Sequence, residues 1–405
     1  MSRSVLVVGA GPAGIASALT LQRHGHTVTV LDKAKFPRDK CCGDGLTTGA
    51  LRLLEQLGLV PDMVPDWHQC DSAWLRSPSG REILLPLPSG SGQFAAIAPR
   101  LHLDNALVVL ARSRGINILE NISFESVLRN DNDCVEIQTS GGPMTADFVV
   151  AADGMWSPVR RALGLSTPSY LGEWHAFRQY FGNVTGPAST QLCVWFEPDL
   201  LPGYAWSFPL PGNRVNFGFG VLRTSDHSVQ YMNSLWQELP TRAHIAEALG
   251  PDVTFLGRHT AWPIPARIDT ATRSSGRVLF IGDAVCATDT LTGEGIGQAL
   301  LTGILAADVI NSGATPRDVR DGYSRALDQE LLADHRMSQL LGKVLARRIG
   351  ARAALRVADT SAWTRRNFAR WMFEDEPRAV LLTPRRWHRK FFARSGAFDP
   401  THSPN

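Results

Sequence analysis

The chain has 405 residues, 44% hydrophobic and 20% charged, with 41 Lys and Arg against 38 Asp and Glu for a net charge of +3. That composition excludes a disordered or collagen-like chain, and so small a charge gives no electrostatic case for nucleic-acid binding. Six cysteines, with no C-x-x-C pair and no histidine at ligand spacing, exclude a disulfide scaffold and a zinc site.

Ser4 to Val8 is a short apolar run, the pattern of a buried parallel strand. With Arg3 before it the segment superficially resembles a signal peptide, but the glycines that follow fit a nucleotide loop better. No apolar run approaches the roughly 18 residues of a membrane span, and the expected location is cytoplasmic. Gly9-Ala10-Gly11-Pro12-Ala13-Gly14 leads into helical spacing from Ile15 to Arg23, then a second strand from Thr27 to Leu31, with Asp32 at its end. Gly9 permits the tight turn, Gly11 lets backbone approach a pyrophosphate, and Gly14 lets helix and strand pack closely. The helix start, with Pro12 at its first position and Ala13 next, offers unpaired N–H groups from Ala13 onward to phosphates, and Asp32 suits a ribose diol. Lys33, Arg38 and Gly45 lie in the segment that follows.

Two later strands end in acids. Phe148 to Ala152 runs into Asp153-Gly154, and Val278 to Ile281 runs into Gly282-Asp283. Leu291-Thr292-Gly293-Glu294-Gly295-Ile296-Gly297 then opens a helix running through Leu305. Acids at the carboxyl ends of parallel strands sit where such sheets bind ligands. Between these strands, Tyr204, Trp206 and Phe208 alternate, as do Phe217 and Phe219, so each set occupies one face of a strand. Both sets are expected to wall an apolar substrate cavity; the alternative is that they are core.

Gly9-x-Gly11-x-x-Gly14, Asp153-Gly154 and Gly282-Asp283 together resemble the three fingerprints of single-FAD flavoproteins with the para-hydroxybenzoate hydroxylase fold. The resemblance implies that Asp32 holds the adenosine ribose and Asp283 the ribityl chain. It also implies that Gly295 and Ile296 bring backbone N–H groups to the flavin, with Gly293 just before them among the cofactor-binding residues and Arg100 near flavin and pyrophosphate. Phe36-Pro37-Arg38-Asp39-Lys40-Cys41-Cys42-Gly43-Asp44-Gly45-Leu46 is similar to the geranylgeranyl reductase signature, with Cys42 at the family cysteine. Gly203-Tyr204-Ala205-Trp206-Ser207-Phe208-Pro209 and Val215-Asn216-Phe217-Gly218-Phe219-Gly220 look like that family's cavity segments, with Leu210 where several members have lysine.

The fold expected is α/β: a Rossmann-type FAD-binding domain (1–74, 97–165 and 276–330) interleaved with an antiparallel substrate sheet (75–96 and 166–275), plus a helical C-terminal region (331–405). The expected activity is FAD-dependent reduction of isoprenoid C=C bonds, with a monooxygenase of an apolar or aromatic substrate as the alternative. Cys42 and Tyr204 are the candidate proton donors or relays, and the basic stretch Arg38 to Lys40 is expected to favour the Cys42 thiolate. Halogenases of this fold use a lysine; here none occurs between Lys40 and Lys343, which argues against halogenation. No second glycine-loop unit is evident, so the reductant is NAD(P)H docking transiently or an electron-transfer protein.

From Asp334 onward 15 Lys and Arg face six Asp and Glu, +9, which leaves −6 for the rest. Arg347-Arg348, Arg365-Arg366, Arg385-Arg386 and Arg389-Lys390 interleave with Trp363, Trp371, Trp387, Phe391 and Phe392. Such a region suits peripheral contact with an anionic membrane, although solvated helical faces packed on the body would carry the same composition.

Overall fold

Ser4–Val8 forms the strand its apolar run predicts and lies inside a six-stranded sheet. In a computed structural model that describes residues 2–88, 92–223, 228–373, 376–387 and 394–400, the sheet order is Ser274–Ser275, Val278–Phe280, Phe148–Ala151, Ser4–Val8, Thr27–Asp32, Asn117–Glu120. All neighbours are parallel except the first pair. The chain passes from Ser4–Val8 to Thr27 on one side and later to Phe148 on the other. The order therefore switches at the first strand, and the loop after Val8 opens into the crevice where such sheets take ligands. Helices Pro12–Arg23 and Ile296–Ser312 pack together so closely that a Cβ on Gly303 would lie 2.3 Å from the Ala13 carbonyl oxygen.

A second, seven-stranded sheet has the order Thr254–Ile264, Trp174–Gly182, Arg214–Leu222, Tyr204–Leu210, Leu192–Trp195, Ser72–Arg76, Glu82–Pro86. It takes in the chain already at Ser72, ahead of the expected boundary at residue 75. Its pairs are antiparallel except Leu192–Trp195 with Ser72–Arg76.

Register decides the two faces of this sheet. Leu210 opposes Arg214 across the Pro211-Gly212-Asn213 turn, so Tyr204, Trp206 and Phe208 stand opposite Gly220, Gly218 and Asn216. Phe217 and Phe219 oppose Ser207 and Ala205 and point the other way. Both are fully buried in a core with Phe177, Phe181 and Trp236, where the helix Val229–Glu238 packs. This corrects the expectation that Phe217 and Phe219 line the cavity: they anchor the outer face of the sheet.

Three helices, Ala333–Leu345, Arg348–Ala358 and Ala362–Met372, form a cap. The last starts at a reciprocal cap between Ser361 and Thr364, as its sequence invites. Leu355 and Ala369 pack with Leu75, Ile83 and Phe94, seating the cap on the second sheet. Arg389, Lys390, Phe391 and Phe392 lie outside the described residues. Among the described residues, no helix is long and apolar enough to cross a membrane.

Candidate active site

A cavity of about 620 Å³ runs from the Gly9 loop, between the two sheets, to the cap. Its nucleotide end is shaped by glycine. A Cβ on Gly9 would meet the Ala152 carbonyl oxygen at 2.4 Å and one on Gly14 the Gly9 carbonyl oxygen at 1.9 Å. Gly11 faces space instead, with only an Arg38 nitrogen within 4 Å of its would-be Cβ, at 3.6 Å. Gly11 caps the helix with no side-chain acceptor, and Pro12 has no N–H to satisfy, so the first-turn donors are left for an anion. Asp32 accepts from Ala10 N and Ala34 N, each at 2.8 Å. These bonds aim its carboxylate into the cavity beside Lys33.

Arg100 grips Asp104 bidentately at 2.6 and 2.7 Å, and Arg38 reaches the same carboxylate at 3.1 Å. Two guanidiniums on one buried carboxylate leave a positive charge at the cavity wall, which complements a pyrophosphate.

The flavin end offers further tests of fit. Asp153 accepts from Val159 N at 2.9 Å through one oxygen, while its other oxygen is buried without a partner, and burial pushes the carboxyl up. An orphaned acceptor in the cavity wall calls for a donor on a ligand. Gly154 and Gly293 have φ of +81° and +71° and open space where a Cβ would stand. Gly282, at φ +58°, allows the close approach to Ala13, and Asp283 pairs with Lys40 at 3.1 Å. Gly295 caps the helix Ile296–Ser312 without a side chain of its own, and Glu294 takes the Gly297 N–H at 2.5 Å, so the Ile296 N–H is the first-turn donor left at this end of the cavity. Gly45 lies in the wall opposite, where a Cβ would be 3.2 Å from the Phe208 ring. The residues present fit a bound FAD.

The remaining wall is apolar. Tyr204, Trp206 and Phe208 face Trp174, Val194 and Trp262, and the cap adds Leu345, Phe368, Trp371 and Met372. The Tyr204 hydroxyl donates to the Thr292 carbonyl, and burial pushes its pKa up. A backbone carbonyl cannot pass a proton on, so Tyr204 is corrected from proton relay to a strut holding the Leu291–Gly295 loop.

Cys42 also departs from expectation. Burial pushes its thiol up to about 11 against the opposing influence of Arg100, so it is protonated at neutral pH. The neighbouring bases expected to favour thiolate are committed elsewhere, Arg38 to Asp104 and Lys40 to Asp283.

Sequence reasoning missed the network behind Cys42. Asp44 is fully buried and accepts from Tyr180 OH at 2.6 Å, Asn216 Nδ2 at 2.7 Å and Arg100 N at 3.2 Å. Burial nonetheless raises its carboxyl to about 6. Asn216 also accepts from Trp206 Nε1 at 3.1 Å and donates to the Cys42 carbonyl at 2.8 Å, tying loop, sheet and aromatic wall together. The signals were the acid between two glycines in Cys42-Gly43-Asp44-Gly45 and the lone amide in Val215-Asn216-Phe217. Asp289 was missed too: it pairs with Arg378 at 3.3 Å and accepts from Ser338 at 2.7 Å and Thr292 N at 2.8 Å. Burial opposes its ionisation, but Arg378 and these donors outweigh it and hold the carboxyl below its ordinary range.

Residues 2–300 match a family model described as the FAD binding domain. The chain is 30% identical over 373 residues to a menaquinone reductase of Mycolicibacterium smegmatis, covering 85% of this chain and 88% of that protein. Among solved structures, a geranylgeranyl bacteriochlorophyll reductase-like protein of Thermoplasma acidophilum superposes with a TM-score of 0.74 at 19% identity, covering 94% of this chain and 95% of that one. The flavin-dependent halogenase CmlS superposes with a TM-score of 0.71 at 21% identity, covering 96% of this chain and 74% of that one.

Proposed function

The chain belongs to the FAD-binding-domain family, and from that premise we propose that it is a reductase of carbon–carbon double bonds in the isoprenoid chain of an apolar lipid or quinone. The observation that carries this reading is the aromatic and aliphatic wall, from Trp206 and Phe208 to the cap residues Phe368 and Trp371, that continues directly from the flavin end. Such a wall suits a long hydrocarbon and offers few polar groups to orient anything else. The menaquinone reductase similarity points the same way.

Bound FAD, once reduced, supplies hydride to one alkene carbon. The protein's share is to bind, orient and protonate. Gly9 to Gly14, Arg38 and Arg100 would hold the pyrophosphate, Asp32 the adenosine ribose, and Asp283 the ribityl chain. Trp206 and Phe208 would lay the isoprenoid flat and keep the site dry, which strengthens every polar interaction inside it. An isolated alkene accepts hydride only as a proton reaches its other carbon. The Cys42 thiol holds a proton in the cavity wall, and the Asp44 N–H, 3.4 Å from its sulfur, together with Arg100 would stabilise the thiolate left behind. The lysines lining the cavity are Lys33 and Lys40, with Lys40 already paired to Asp283, so the halogenase likeness extends to fold alone.

The test is anaerobic. The FAD-loaded protein is reduced with dithionite and mixed with a prenylated quinone. Flavin reoxidation matched by a gain of two hydrogens in the prenyl chain is the expected result. Turnover only after oxygen is admitted, with an oxygenated product, would replace this reading by the monooxygenase alternative.

A further inference from the structure

The cap has two faces of opposite character. Its inner face lines the cavity through Leu345, Phe368 and Trp371. On the helix Arg348–Ala358, Ala351, Leu355 and Ala358 are buried, while Arg348, Arg352 and Arg356 form one exposed row and Ile349, Ala353 and Val357 the next. The spacing of four residues within each row makes these parallel stripes along the helix. Ile349 is 80% exposed and Val357 66%, and the flanking helices add Trp363 at 65% and Leu340 at 57%. Branched aliphatic side chains left this bare beside a basic row are not explained by packing within the chain.

Charge narrows the occupant. Between His335 and Phe373 there are nine basic residues and one acid, Asp359, which is already held by Arg365 at 2.9 Å and Arg81 at 3.0 Å. No carboxylate pairs with Arg336, Lys343, Arg347, Arg352, Arg356 or Arg366 among the described residues. Several residues of the expected basic and aromatic set are spent inward: Trp371 faces the cavity, and Arg386 pairs with Asp334 at 2.7 Å. A nucleic acid would engage the arginines but not an aliphatic row, and the centre of a protein interface is depleted of charge. Alternating basic and apolar rows match the boundary between lipid headgroups and acyl chains.

We propose that the outer face of the cap, centred on Arg348–Ala358, docks on an anionic lipid bilayer. The cavity's apolar wall then lies one helix layer from the membrane, so a lipid substrate would pass from bilayer to flavin end without crossing water. Bilayer binding stands independently of the reductase reading; only this delivery of substrate rests on it.

The test is co-sedimentation of the FAD-loaded full chain with phosphatidylcholine vesicles, with and without phosphatidylglycerol. Binding should require phosphatidylglycerol. Arg352→Gln/Arg356→Gln should weaken it by about fivefold per arginine, and Ile349→Ser/Val357→Ser should weaken it as well. Because all four side chains are exposed, the thermal melt and flavin spectrum should not change. Failure of the parent protein to bind, or binding untouched by either variant, would overturn the proposal. Sensitivity to the arginine pair alone would reduce the contact to surface electrostatics, and sensitivity to the apolar pair alone to partitioning indifferent to lipid charge; either result overturns docking through both rows.

Discussion

Gly218 and Gly220 lie on the same face of one strand and make a controlled pair. A Cβ on Gly218 would lie 2.4 Å from the Phe177 carbonyl oxygen and 2.4 Å from Trp206 Cζ2, whereas the nearest atom to one on Gly220 is Trp206 Cζ3 at 4.0 Å. Gly218→Ala therefore forces either the sheet or the indole to move. Overpacking of a buried site costs about 1–3 kcal/mol. If the indole gives way, its 3.1 Å bond to Asn216 is lost as well, at about 1 kcal/mol. The sum is a loss of about 2–4 kcal/mol, with Trp206 displaced toward the substrate and KM raised. Gly220→Ala meets no such obstruction and should be neutral, or stabilising by up to about 1 kcal/mol through the unfolded chain. Denaturant midpoints followed by tryptophan fluorescence and flavin absorbance measure both. If the two variants differ by less than about 0.5 kcal/mol, the placement of Trp206 against Gly218 is wrong.

Phe217→Ala should cost about 3–5 kcal/mol of stability, since its side chain is wholly core, while Phe208→Ala, whose ring is only partly buried, should lower the denaturant midpoint less and raise KM. For Asp44, the folded carboxyl lies at about 6 against an ordinary 3.8, so the native state keeps a proton that the unfolded chain has lost. Stability from this residue is thus present below the unfolded value and falls as pH rises through 6. Asp44→Asn removes that dependence, so the parent's advantage over the variant should shrink by about 2.4 kcal/mol between pH 4 and 7 in paired unfolding curves; a constant difference would refute it. Cys42→Ala should leave FAD bound and reducible but slow substrate-dependent flavin reoxidation by about 10²–10⁴-fold, and stopped-flow rates equal to the parent's would remove Cys42 from the chemistry.

The nucleotide half of the site was legible because backbone dictates it. Gly9, Gly14 and Asp32 occupy positions where turn, close packing and strand end admit little else, and local spacing reveals them. The aromatic strands were half legible. A period of two separates two faces without saying which face meets the cavity. That choice follows from the turn at Pro211-Gly212-Asn213, which sets Leu210 opposite Arg214, and one residue more or less in the turn would have exchanged the roles of Gly218 and Phe217. Cys42 was misjudged because its chemistry depends on burial and on where distant partners take its basic neighbours. Asp44, Asn216 and Tyr180 are far apart in sequence and meet only through the packing of loop against sheet.

Arg378 belongs to the segment that follows the cap helices, yet it reaches both Asp289 and, at 3.2 Å, the Thr292 hydroxyl, while Thr292 also receives the Tyr204 hydroxyl on its carbonyl. The cap side and the flavin-facing loop therefore share one fastener. Drawing Arg378 away would strip a buried carboxylate of its counter-charge and leave the loop holding Gly293 and Gly295 with one strut fewer. Loosening of the segment after the cap helices and slackening of the Leu291–Gly295 loop are then a single event, because one guanidinium anchors both.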